Sequence, residues 1–226
     1  MMRRIRAAAS GESGFTLTEL LVAMVVMGVV LSMVVGFFSS AGRAFTLNQT
    51  TSGNTRAASN GMNEISRILR AATENPVQGQ TVDSPAFVTA TNESVTVYAY
   101  VNLTSSTEQP IKVQFSIDSN RNLVETEWAS YVIAAGYWGY ATTPSFTRIL
   151  ASSIVNRVAP NPYLFTYLAS DGTTIPIPSG GYTSTNLSSI AAVQVSLTIG
   201  KTATASSTVS LQNTVGLPNL AIARTS

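Results

Sequence analysis

The sequence contains no cysteine and no histidine, and only 11% of its 226 residues are charged. Without Cys there is no disulfide framework, no thiolate nucleophile and no thiolate-bound metal. Without His, Ser-His-Asp and Cys-His catalysis, imidazole acid–base chemistry and the common zinc sites fall away together. An enzyme would have to be built from carboxylates, Lys or Tyr. No such constellation stands out, so the chain reads as a non-enzyme with no cofactor and no metal. Net charge is scarce too, at +2 from 13 basic and 11 acidic side chains. Arg121, Arg148, Arg157 and Lys201 are scattered and form no basic stripe, which argues against direct nucleic-acid binding.

What the chain has in excess is apolar residues, 45% of the total. Residues 15–38 form a run of 24 with a single charge, Glu19. As a helix rising 1.5 Å per residue the run reaches roughly 36 Å, enough to cross a bilayer core of about 30 Å. Arg3, Arg4 and Arg6 precede it. The positive-inside tendency therefore predicts a cytoplasmic N-terminus, a single span and an extracytoplasmic C-terminal part. A secretory signal peptide cut after Ala41 is the first competing reading, since Ser39 and Ala41 are small. The run is too long for one, whose apolar core spans roughly 7–15 residues. A plain single-span anchor fits the length and leaves Glu19 unexplained. A charged side chain deep in a membrane helix costs about 2.5–3.5 kcal/mol on insertion scales, less near the membrane surface, and marks a functional candidate.

Cleavage between Gly14 and Phe15 would supply the partner. The freed α-amine of Phe15 is a cation at the depth of Glu19, and neighbouring subunits could bring the two together. At 4 Å such a pair gains about 4 kcal/mol with an effective dielectric of 20. The stretch Gly14-Phe15-Thr16-Leu17-Thr18-Glu19-Leu20-Leu21-Val22 closely resembles the processing site of type IV pilins and type II secretion pseudopilins. The resemblance implies that a prepilin peptidase cuts after Gly14 and methylates the Phe15 amine, and that Glu19 serves assembly. It also implies other pilin or pseudopilin subunits, an inner-membrane platform and its ATPase as partners. Removing residues 1–14 takes away three Arg and Glu12, leaving ten basic and ten acidic side chains. Gly28 and Gly36 interrupt the apolar run. They permit close helix packing, and by resemblance they are points where the helix can unwind in a filament.

Beyond Phe38 helical spacing persists. Met62, Ile65, Ile68 or Leu69, and Ala72 recur at three and four residues and predict one apolar stripe. Arg67 and Arg70 suit a helix C-terminus, Asn75-Pro76 stops the helix, and the TTSGNT stretch at 50–55 is the candidate bend. A continuous helix from Phe15 to Thr73 would be roughly 88 Å long. Residues 76–226 read as strands at 86–91, 94–101, 111–117, 122–128, 146–151, 154–158, 163–168, 190–200 and 207–213. The expected architecture is α+β: a leader at 1–14, a transmembrane assembly helix at 15–38, an extracytoplasmic half-stem at 39–75, and a β-rich head at 76–226. The long N-terminal helix is expected to pack on an antiparallel sheet.

The head offers three weaker candidates. Asp118, Asn120 and Asn122 alternate like calcium ligands, but Leu123 and Ala129 occupy the positions where such a loop needs Gly and Glu, so a hairpin turn is expected. Glu125 and Glu127 share a strand face and read as solvated. Residues 130–144 read as an aromatic loop in which Tyr137, Trp138 and Tyr140 could form a tip contact, with burial the plainer account. The segments SGGYTSTNLSS and KTATASST read as polar loops. The order of elements is similar to J-type pseudopilins and W-type minor pilins, through the Ser116-Ile117-Asp118 hairpin, the YLFTYL strand followed by Asp171-Gly172, and the IAAVQVSLTI strand. In the last strand Gln212 stands where that group more often has Arg. The reading is a minor pilin or pseudopilin that initiates, caps or decorates a pilus, secretion or DNA-uptake filament. An exported or membrane-anchored β-domain that binds a surface ligand is the alternative.

Overall fold

The structure is a computed structural model that describes residues 14–101, 109–178, 182 and 184–220. Residues 1–13 of the expected leader at 1–14, including Arg3, Arg4 and Arg6, lie outside the described residues. The chain divides into two units, Met1–Leu47 and Asn48–Ser226.

In the first unit the described residues form the opening part of helix α1, Leu17–Arg70. Val22, Val25, Val26, Val29, Val30, Val34 and Val35 are β-branched and favour helix only weakly in water. In hydrocarbon the backbone must satisfy its own polar groups, and a helix is how a single segment does so. Every described side chain from 14 to 47 is exposed.

Among the described residues the second unit holds the rest of α1 and nine strands. The first sheet is antiparallel, ordered β1-β2-β3-β4-β5, with β6 also on β4; the strands are β1 Phe87–Ala90, β2 Ser94–Ala99, β3 Ile111–Ile117, β4 Leu123–Ala134, β5 Tyr137–Tyr140 and β6 Phe146–Ala151. The second sheet is the antiparallel set β7-β8-β9, from β7 Phe165–Leu168, β8 Ala192–Ile199 and β9 Val209–Gly216. A short helix α2, Ser184–Ser188, lies between β7 and β8. The expected stripe Met62, Ile65, Ile68, Leu69 and Ala72 is buried, joined by Ala58. It meets Val95, Val97, Val113, Phe115 and Leu123 of the first sheet and Val193, Val195 and Leu197 of the second in one core. Each fully buried Ile, Leu or Phe contributes about 1.5–3 kcal/mol. Gly61 sets how closely the helix approaches: a Cβ there would meet Leu123 Cδ2 and Leu197 Cδ2, each at 3.2 Å.

Several boundaries differ from expectation, each for a local reason. TTSGNT does not bend. Thr55 Oγ1 donates to Thr51 O at 2.9 Å and Asn54 Nδ2 donates to Ser207 O at 2.8 Å, so the polar side chains are used while the helix runs on. The helix stops at Arg70, short of Thr73, because Thr73 N already donates to Tyr98 O of the sheet. Residues 154–158 are not a strand. Only Ile154 bridges to Ile199, and the Arg121 guanidinium takes the carbonyls of Ile154 and Val155 at 3.1 Å each. The expected aromatic loop is instead the far half of β4 turning at Gly136 (φ 82°) into β5. The polar segment at 179–189 contains α2; its residues 179–181 and 183 lie outside the described residues.

Candidate functional site

The residues that the sequence singled out for cleavage and pairing lie at the start of α1. Gly14 and Phe15 precede the helix and are exposed, Phe15 at 91%. Thr16 is the N-cap and Glu19 lies three residues on. The Thr16 amide donates to Glu19 Oε2 at 3.0 Å, and Glu19 N donates to Thr16 Oγ1 at 3.3 Å. That is a reciprocal capping box, in which the two side chains satisfy two of the open amides of the helix start. Thr16 Oγ1 also donates to Glu19 Oε2 at 2.9 Å. The Thr16-x-x-Glu19 spacing was visible in the sequence. It changes the reading of Glu19, whose carboxylate is engaged within its own chain rather than standing alone. Gly28 and Gly36 lie in unbroken helix, and a Cβ at either would meet nothing within 4 Å.

In the head the aromatic candidates are held on β5. Tyr140 stacks on Tyr98 with ring centroids 4.6 Å apart, and its hydroxyl donates to Asn75 Oδ1 at 3.2 Å. Burial pushes both phenols upward from their ordinary values. Tyr137 and Trp138 are half-buried. The side chains that the same hairpin does expose are Tyr131, Val132 and Ile133. Tyr131 lies across Gly139, where an added Cβ would fall 2.5 Å from its ring. The structure therefore brings none of the three named aromatics into a shared exposed patch.

Asp118 closes the β3–β4 hairpin as expected. Its carboxylate accepts from Asn120 N at 2.9 Å and Asn122 N at 2.7 Å, which holds it below the usual carboxylate range, and Arg121 takes the left-handed conformation (φ 59°). Among the described residues no group of three acidic side chains is placed to hold a metal.

Glu125 is the correction with most chemical content. Its expected solvated face is a buried one, and its side chain is fully covered. Arg148 of β6 donates from Nε to Glu125 Oε2 at 2.6 Å and from Nη2 to Glu64 Oε1 of α1 at 2.7 Å. Arg67 donates from Nη2 to the same Glu64 Oε1 at 2.6 Å and from Nε to Glu64 Oε2 at 3.0 Å. Burial raises the Glu125 carboxyl above its ordinary range, while the Arg67 hydrogen bond lowers Glu64. Glu125 Oε1 has no partner. The arrangement is a structural clamp between helix and sheet. Sequence reasoning missed it because Glu64, Glu125 and Arg148 are brought together from three separate elements.

Residues 9–35 match the family model described as the prokaryotic N-terminal methylation motif. No curated protein matches the chain. The matched segment takes in Gly14, Phe15, Glu19 and the start of α1, the one described helix long and apolar enough to cross a membrane. The match supports a type IV pilin-like chain: a substrate of prepilin peptidase that associates with other pilin subunits, of a structural rather than enzymatic kind, anchored in a membrane and bound for a surface filament.

Proposed function

We propose that this chain is a minor pilin or pseudopilin, stored in the cytoplasmic membrane with its N-terminus inside, cut before Phe15, and built into a filament to initiate, cap or decorate it. The observation that carries the reading is the first turn of α1. An exposed Gly14-Phe15 junction sits one helical turn from the single carboxylate of an apolar segment whose surface the chain leaves uncovered. Cleavage converts Phe15 into a cation, and the Glu19 carboxylate of a neighbouring subunit is its natural counter-charge. Gly28 and Gly36, with open space beside them, suit close approach of other helices. The partners on this reading are prepilin peptidase, sister subunits and the membrane platform with its ATPase. The elaborate head favours a minor over an abundant subunit.

N-terminal mass analysis of the mature protein tests this. The expected chain begins at an N-methylated Phe15. A chain beginning at Gly42 or retaining Met1 overturns the reading in favour of an exported or anchored β-domain.

A further inference from the structure

The far end of the β4–β5 hairpin differs from the rest of the head in charge, exposure and support. Residues 128–147 carry no charged side chain, in a stretch that holds both tryptophans of the chain, Trp128 and Trp138. β3 pairs with β4 only as far as Ala129, so Ser130–Ala134 have β5 as their single partner strand among the described residues. β4 runs alongside α1 toward the helix C-terminus. Leu123 lies against Gly61, Arg148 bridges Glu125 to Glu64, and Tyr140, paired with Ser130, reaches Asn75 beyond the helix. From Ser130 the two strands carry the chain onward by roughly 17 Å to the turn at Ala135-Gly136. The hairpin thus ends in a two-stranded ribbon that projects past the other strands of its sheet.

The apolar side chains of the ribbon point both ways. Tyr131 and Val132 are successive strand residues, paired with Gly139 and Trp138, and therefore lie on opposite faces. They are 57% and 59% exposed, and Ile133, at the register shift before Ala134, is 56% exposed. A protein groove or a second sheet covers one face of a ribbon. Apolar groups bared on both faces suit a medium that closes around the ribbon from all sides. Composition identifies the medium. No charge has to leave water, and Tyr and Trp join an apolar ring to a polar tip, as the boundary of a bilayer requires. No Lys or Arg is present to seek anionic headgroups. The backbone edge at 130–134 sets the depth, because its amides need water or headgroup oxygens, which the hydrocarbon core lacks.

We infer that the β4–β5 ribbon is a lipid-binding element, which places Tyr131, Val132 and Ile133 at headgroup depth in a bilayer of neutral, zwitterionic lipid. Unlike the apolar part of α1, it enters the interface without spanning it. Apolar burial drives the partitioning, and charge takes no part. The inference does not draw on the filament reading above.

The tryptophans make the test direct, since residues 15–47 contain none and add no signal of their own. The mature chain carries Trp128→Phe, so that Trp138, directly opposite Val132, is the single emitter. It is reconstituted in phosphatidylcholine vesicles. Phosphatidylcholine brominated on its acyl chains, a short-range quencher, is placed either in the same vesicles or in a second population added to them. Trp138 emission is expected to shift to the blue and to be quenched in at least one arrangement, equally at low salt and at about 0.5 M. Val132→Glu with Ile133→Glu should cut the quenching constant at least about tenfold. Val132→Thr with Ile133→Thr, which keeps the β-branched shape, should reduce it by a smaller factor. No quenching in either arrangement, quenching that both variants retain, or quenching that fades with salt overturns the proposal. Shielding of Trp138 that follows protein concentration and not lipid concentration overturns it in favour of a second copy of the chain. None of these outcomes alters the N-terminal mass on which the filament reading stands.

Discussion

Residues 17–47 and 48–70 belong to one helix and treat their apolar side chains in opposite ways. In the second stretch the apolar residues form a stripe, and the chain covers it: Ile65, Ile68 and Leu69 have no exposure at all. In the first they run around the helix, and the chain covers none of them; Leu20, Val25, Val30 and Phe37 are all exposed. A stripe is a sequence written for one sheet, while an all-round apolar surface is written for a medium or for several neighbours. The first stretch therefore finds its stabilising partners outside the chain, and the second finds them in the head.

The comparison can be broken most sharply at Glu19. Glu19→Val should leave membrane insertion intact, read by alkaline extraction, yet reduce recovery in sheared filaments by well over tenfold, since the proposed pairing would be worth about 4 kcal/mol. Normal recovery would show that the carboxylate has no role outside its own helix turn.

The next largest effect separates the two stretches by stability. Ile65→Ala should destabilise the head by about 2–5 kcal/mol in chemical denaturation. Val26→Ala, the same kind of truncation on the uncovered stretch, should change head unfolding by less than about 0.5 kcal/mol. Equal effects would mean that the first stretch is covered by the chain after all.

The smallest effect concerns the clamp that joins the second stretch to the sheet. Burial raises the Glu125 carboxyl, so the folded state holds its proton more tightly than the unfolded one. The stability this contributes is fully present below the ordinary carboxylate pKa and is lost as pH rises through the raised value. Glu64, lowered by Arg67, works in reverse: its contribution is present above the ordinary value and lost as pH falls through the lowered one. Arg148, Arg67 and Glu127 are the other charges facing the pair. Glu125→Gln mimics the protonated acid and should flatten the decline in melting temperature as pH rises past the ordinary carboxylate range, leaving the acid limb set by Glu64. Parallel profiles for the two proteins over that rise would show that Glu125 is not holding a proton there.

Much of this division was legible in the residues. The apolar run with its lone Glu19, the stripe from Met62 to Ala72, and the hairpin turning on Asp118 are local patterns, and local patterns survive folding. The misreadings occurred where distant residues decide the outcome. TTSGNT has the composition of a bend, yet Asn54 finds Ser207 and the helix continues. Residues 154–158 have strand composition, yet a side chain from another turn takes their carbonyls. Glu125 alternates like a surface residue and is buried because Arg148 and Glu64 converge on it. Gly136 was the overlooked local signal: a glycine between Ala134-Ala135 and Tyr137 invites the turn that makes 130–140 a hairpin.

The capping box at Thr16 has a kinetic consequence. A subunit waiting in a membrane with a bare carboxylate would be short-lived or would drag water with it. Here the carboxylate rests on the amide and hydroxyl of its own Thr16, so a pool of idle subunits is a tolerable state. If assembly proceeds as proposed, docking is then an exchange reaction. Two bonds within one chain are released as one pair between chains forms, and the gate on filament growth is the opening of a single turn at the end of a helix.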